Sequence, residues 1–237
     1  MLEELFSDGL LGVINIGTNP QSNILAVEQA RKFANMYAAV GIHPTDMADM
    51  KMPLDEAIES VKRLALDPAN KVVAVGEIGL DYYWEPYDKE AQRVCFEAQL
   101  LLARELSLPV IIHDMEAHGD CFETVLKYPD VRGVFHSYSG SAEMASELIK
   151  RGWYISFSGV VSFKNAAKIK EVARIVPDDR ILIETDAPYL APHPFRGKIN
   201  HSGRLIHTAT ALAEARECTV DKIAELTREN LRTLFGV

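Results

Sequence analysis

Four side chains suited to divalent metal ions stand where four separate hydrophobic runs end. Glu77 follows Lys71–Val75 and has Gly76 and Gly79 beside it; His113 closes Leu108–Ile112. His136 follows Gly133–Phe135, and Asp186 follows Arg180–Ile183 within Ile183-Glu184-Thr185-Asp186. Hard divalent ions take carboxylate oxygens, and zinc and its neighbours also take imidazole. Glu77, His113, His136 and Asp186 therefore form a candidate ligand set. A shared carboxylate can hold two ions about 4 Å apart, which clamp the attacking and leaving oxygens of a phosphoester. An Asp that is loosely bound or unligated can take the proton of the attacking water. Taken singly, an acid ending a strand is more often solvated or capping a helix. Recurrence at four strand ends gives the set its weight.

Other residues carry two readings each. His43 precedes Pro44 and is either a turn residue or a site residue. His118, His201 and His207 read as surface or helix positions. His193, in Ala191-Pro-His-Pro-Phe-Arg196, lies in a long loop and reads as a substrate-side group. Tyr82, Tyr83 and Trp84 either stack bases at a single-strand groove or pack as a loop. Arg196 and Lys198 either meet phosphates or are solvated loop charges.

These residues need elements to hold them. Apolar runs near residues 12, 37, 71, 108, 133, 153 and 180 read as seven strands, with a helix after nearly every one. Asn19-Pro20 opens the first such helix, whose apolar face is Leu25, Ala26, Ala30 and Phe33. The helix 88–106 is expected to be buried through Val94, Leu101 and Leu102. Ser141 caps another, and two helices, 203–216 and 219–234, close the chain. Alternating β and α elements with fully apolar strands predict a parallel sheet covered by helices. Functional groups at strand ends fit the catalytic face of a (β/α)₈ TIM-type barrel, which needs an eighth strand. Before Gly12 the sequence reads only as the tail of a helix.

Composition narrows the function. The chain has 237 residues, 48% of them apolar, so one large α/β domain spanning 1–237 is expected, without repeat or linker. A net charge of −9 argues against a protein that coats duplex nucleic acid, yet a nuclease remains compatible because metal ions supply local positive charge. Cys95, Cys121 and Cys218 form no C-x-x-C pair and read as reduced thiols. With no long apolar run and an acidic N-terminus, a cytoplasmic protein without membrane contact is expected.

At its motifs the chain resembles the TatD family of metal-dependent deoxyribonucleases. The matching segments are Gly41-Ile-His-Pro44, Gly76-Glu-Ile-Gly-Leu-Asp-Tyr-Tyr83 and Leu108-Pro-Val-Ile-Ile-His113. Phe135-His-Ser-Tyr-Ser-Gly140, Leu182-Ile-Glu-Thr-Asp-Ala-Pro-Tyr-Leu190, Arg196-Gly-Lys-Ile-Asn200 and Asn230-Leu-Arg-Thr-Leu-Phe-Gly236 match as well. The resemblance implies a TIM barrel with one or two divalent ions (Mg, Mn or Zn) and 3′-to-5′ cleavage of DNA, acting on single-stranded ends. It implies that Glu77 bridges two ions, that His113 and His136 complete one site, and that Asp186 belongs to the other and serves as base. Glu77 and Asp186 are thus the catalytic candidates; Tyr82, His193 and Arg196 are the substrate-binding ones.

The chain departs from the family in one respect. Family members open with a strand ending in His-x-His, and this sequence has no His-x-His. Either the start is misassigned or truncated, or this is a short form with an open barrel that is prone to association. For this polypeptide the expectation is one well-occupied metal site, a weaker second one and reduced activity. Two other functions stay open: a D-aminoacyl-tRNA deacylase or other ester hydrolase on the same scaffold, and a noncatalytic truncated homologue.

Overall fold

The computed structural model describes residues 2–7, 9–47 and 50–237. It packs as two compact units, Glu3–Gly133 and Val134–Val237. The observed class is the expected one, α/β with seven strands among the described residues, each parallel to its paired neighbour.

Unit one holds α1 (Leu2–Ser7), β1 (Val13–Ile16), α2 (Pro20–Lys32), β2 (Met36–Val40), α3 (Leu54–Leu66), β3 (Val72–Asp81), α4 (Lys89–Leu106), β4 (Val110–Met115) and α5 (His118–Leu126). Asn19 caps α2 as its type predicts, in a capping box with Ser22. The face of α2 differs from the expected one. Ala26 and Ala30 are buried as expected, but Leu25 is exposed and Phe33 only half-buried, and Asn23 and Val27 complete the buried face. Asn23 turns inward because its amide satisfies both backbone groups of Gly41, at 2.9 and 3.1 Å. The same substitution of polar for apolar occurs on α4. Val94 and Leu101 are exposed, whereas Gln92 and Gln99, two turns apart, are buried. Gln99 clamps the backbone N–H and C=O of Ile42, and Gln92 does the same for Asp81. Buried amides are tolerated here because every polar atom of the strand end that they meet is paired.

β3 is longer than its apolar run. It continues through Glu77 to Asp81, and β4 likewise runs past His113 to Met115. The register between β3 and β4 shifts between Val75 and Ile78, where Gly76 and Glu77 sit, and then resumes with Gly79 opposite His113. Such an irregularity re-aims a side chain without ending the strand. Gly79 adopts φ +145°, and a Cβ there would lie 2.0 Å from the carbonyl oxygen of His113. Only glycine fits that approach.

Unit two holds β5 (Gly133–Phe135), α6 (Ala142–Lys150), β6 (Tyr154–Phe157), α7 (Ala167–Ile175), β7 (Ile181–Ile183), α8 (Leu205–Arg216) and α9 (Val220–Phe235). Ser141 caps α6 by accepting from Met144 N–H. Phe135, Leu148, Ile155, Phe157, Ile181 and Leu212 are fully or almost fully buried. Asn230 on α9 donates to the carbonyls of Asp178 and Ile181, both at 2.8 Å, and so fixes the start of β7. No helix among the described residues is long and apolar enough to cross a membrane.

Candidate metal centres

Unit one gathers three donors, from His43, Glu77 and His113, whose ligand atoms all lie within 4.8 Å of one another. Glu77 is 8% exposed. Its Oε1 stands 2.8 Å from His113 Nδ1 and 3.7 Å from His43 Nε2. The other imidazole nitrogen of His113, Nε2, is 2.9 Å from Oδ2 of Asp81. Asp81 is 1% exposed, and its Oδ1 accepts from the backbone N–H groups of Tyr83 and Trp84 at 2.9 and 3.0 Å. Burial alone would raise the Asp81 pKa. The hydrogen bond from His113 and the two backbone N–H groups outweigh it and hold the carboxyl below its usual value.

His43 is held differently. Its Nδ1 accepts from Thr45 N–H at 3.2 Å and meets Thr45 Oγ1 at 2.7 Å, so a neutral ring carries its proton on Nε2. That N–H faces the site. Burial, helped by His113 and opposed by Glu77, Asp46 and Asp81, lowers the His43 pKa to about 4, so the ring is neutral at pH 7. In this tautomer His43 offers the site a hydrogen-bond donor rather than a lone pair.

Do these residues fit a divalent ion? His113 faces a carboxylate oxygen at each ring nitrogen, and a neutral ring supplies only one proton. One of the two contacts needs added positive charge. The Nδ1–Glu77 contact is the one that opens on the cluster, and imidazole with carboxylate is a donor set that suits such an ion.

Unit two gathers a second group: His136, Glu184 and Asp186, also within 4.8 Å. His136 Nδ1 lies 2.6 Å from Glu184 Oε1, and its Nε2 lies 4.0 Å from Asp186 Oδ1. Glu184 Oε1 is buried and, despite this approach, makes no aligned hydrogen bond. A buried carboxylate oxygen so placed fits a cation. Glu184 and Asp186 follow β7 rather than sit within it. Asp186 takes φ +57°, an uncommon conformation that Asp tolerates better than most residues. The loop behind it is tied by Asn200, which donates to the carbonyls of Thr185 and Tyr189 at 2.7 and 2.8 Å.

Of the ligands read from the sequence, Glu77 and His113 thus come together in unit one, and His136 and Asp186 in unit two. The sequence alone gives three residues of these surroundings no settled role: His43 carries two readings, Glu184 stands beside the more conspicuous Asp186, and Asp81 appears only within the Gly76–Tyr83 motif. One signal was available for Asp81: it lies four residues after Glu77 with glycine midway, and alternation along a strand puts such positions on one face.

The remaining candidates are placed as follows. Tyr82 is half-buried. Its hydroxyl meets Asp120 at 2.8 Å, its ring stacks on Tyr87 at 5.5 Å, and Lys89 lies over it at 4.0 Å. Trp84 and Tyr87 instead line a cleft of about 230 Å³ with Pro44, Met47, Pro86 and Gln92 among its other walls. His193 and Arg196 are exposed in unit two, with the Arg196 guanidinium 4.2 Å from the Phe163 ring. His118 is held by Asp114 at 2.8 Å. All three cysteines are free; burial pushes the Cys95 thiol up to about 12 and the Cys121 thiol well above its ordinary value, so both stay protonated.

A family model described as TatD related DNase matches residues 1–236. The chain is 40% identical over 240 residues to the uncharacterized metal-dependent hydrolase YabD of Bacillus subtilis (strain 168), covering 100% of this chain and 92% of that protein. It is 34% identical over 247 residues to the uncharacterized metal-dependent hydrolase TatD of Mycobacterium tuberculosis (strain H37Rv), covering 100% and 90%. Among solved structures it resembles YjjV, a TatD homolog of Escherichia coli K12, with a TM-score of 0.92 at 29% identity, over 100% of this chain and 90% of that one. The TIM-barrel-type class expected from the sequence is the class of these neighbours.

Proposed function

The chain belongs to the TatD related DNase family of metal-dependent hydrolases, and we propose that it hydrolyses phosphodiester bonds of DNA from single-stranded 3′ ends. One observation carries this reading: each unit has its own cluster joining an imidazole to a shielded carboxylate, suited to one divalent ion apiece. Bound divalent ions would supply Lewis-acid polarisation of the phosphoryl oxygens.

The protein's own groups do the rest. Glu77 and His113 would hold the ion of unit one, and His43 directs an N–H into that site toward a phosphoryl oxygen. His136 and Glu184 would hold the ion of unit two. Asp186, partly exposed and at the edge of its cluster, takes a proton from the attacking water. The cleft lined by Trp84 and Tyr87 accepts an unstacked base; Tyr82, already packed, supports Tyr87 from behind. His193 and Arg196 meet the strand's phosphates.

The test is a labelled single-stranded oligonucleotide assayed beside a D-aminoacyl-tRNA, each with magnesium, manganese or zinc. Stepwise shortening of the oligonucleotide from its 3′ end supports the reading. Metal-dependent release of the D-amino acid with an intact oligonucleotide would replace it by ester hydrolysis. Background rates on both would leave only a binding role.

A further inference from the structure

We propose that Asp81 is the positioning residue that makes Nδ1 of His113 the metal-binding nitrogen. This rests on the reading that Glu77 and His113 hold a divalent ion.

The arrangement follows from strand register. Gly79 is paired with His113 across β3 and β4, so Glu77 and Asp81 stand two residues before and two residues after the position opposite the imidazole. The glycine places no side chain between them. The ring therefore lies between two carboxylates, Glu77 on its Nδ1 side at 2.8 Å and Asp81 on its Nε2 side at 2.9 Å. The two carboxylates are not equivalent. Glu77 belongs to a group of three donors within 4.8 Å of one another. Asp81 is outside that group and almost wholly buried. Its Oδ1 is taken by two backbone N–H groups, and its own backbone is clamped on both sides by Gln92. It has little freedom to turn toward an ion. What it can do is accept the Nε2 proton, which leaves the Nδ1 lone pair pointing at Glu77 Oε1. A carboxylate that accepts from the far nitrogen of a ligating histidine fixes both its tautomer and its ring orientation.

Asp81 must also be a carboxylate and not its amide. All three of its side-chain partners are donors: Tyr83 N–H, Trp84 N–H and His113 Nε2–H. An asparagine has one acceptor oxygen and one donor amide. If its oxygen keeps the two backbone N–H groups, its NH₂ faces Nε2 and forces the ring proton onto Nδ1, where it blocks ligation. If it flips, the NH₂ faces two N–H donors. The same geometry ties the ligand to the Trp84 segment, since the two oxygens of one carboxylate serve both.

The experiment compares wild type, Asp81→Asn and Gln92→Leu as full-length protein. Zinc and manganese binding is titrated by calorimetry, and the zinc-loaded forms are examined by ¹⁵N–¹H long-range correlation of the histidine rings. Wild type is expected to show His113 with metal on Nδ1 and hydrogen on Nε2. Asp81→Asn is expected to lower affinity by about 10- to 100-fold. Gln92→Leu loosens the same strand end but keeps the carboxylate, and is expected to stay within about threefold of wild type in affinity. Metal on Nε2 of His113 in wild type would overturn the proposal even if Asp81→Asn fails to fold. Equal losses in the two variants would reduce Asp81 to a purely structural role and overturn it too. Absence of any metal binding by wild type is a different failure: it removes the underlying reading of Glu77 and His113.

Discussion

The two clusters solve one chemical problem with different backbones. In unit one, Glu77 and His113 sit inside strands, and buried amides from Asn23, Gln92 and Gln99 fix the segments around them. In unit two, Glu184 and Asp186 lie beyond the end of a three-residue strand, and Asn200 ties their loop. Side-chain exposure follows: 11% for Glu77 against 21% and 25% for Glu184 and Asp186. A strand-borne site is set before any ion arrives. A loop-borne site can shift a carboxylate between holding an ion and taking a proton. On the proposed function, unit one would be the cluster that retains metal and unit two the one that adjusts during turnover.

The severest test of that contrast is Glu77→Gln, which removes the charge from the rigid cluster. It is expected to lower kcat/KM by about 1000-fold and to abolish metal retention through gel filtration. Retained metal with lost activity would shift the ion-holding role away from unit one. Next come two glycines. Gly79→Ala, at φ +145° and against the His113 carbonyl, is expected to destabilise by about 3–5 kcal/mol in urea titrations. Gly197→Ala, at φ +80° in open space in the unit-two loop, is expected to change stability by only about 1 kcal/mol. Similar values for both would erase the distinction between a crowded strand and an open loop. Asp186→Asn should reduce kcat by about 100-fold while most bound metal is kept, because the group removed is the base. Parallel loss of metal would make Asp186 a ligand of the same kind as Glu77.

The last test is one of acid stability in the EDTA-treated protein. The His43 pKa is lowered on folding to about 4 from 6.5, so between those values the unfolded chain binds more protons than the folded one. Stability is therefore full above pH 6.5 and falls as the pH drops toward 4. At pH 5 the loss from this group is about 2 kcal/mol. His43→Gln should flatten that part of the profile, as read from urea midpoints across pH. An unchanged slope would assign it to other groups.

Much of this was legible in the sequence, for identifiable reasons. Seven apolar runs became seven strands because buried parallel strands need continuous apolar side chains. Asn19 and Ser141 were legible as caps because their role is local. The inward faces of α2 and α4 were less so. Asn23, Gln92 and Gln99 are polar, and only the strand ends that they satisfy explain their burial. The strands run past the ends that the sequence suggests at Glu77 and His113 for a similar reason: polarity rises there while backbone pairing continues to Asp81 and Met115. Composition marks where a site begins, whereas pairing decides where a strand stops. Glu184 and His43 needed distances that no spacing supplies.

The two tryptophans carry one further consequence. Trp84 is 63% exposed at the cleft of unit one, and Trp153 is 3% exposed within unit two. They are the chain's only two. Its emission is thus the sum of a red-shifted, quencher-accessible component from one unit and a blue-shifted, shielded component from the other. An oligonucleotide entering the cleft would darken the first alone, and during denaturation the two components would report on the two units separately.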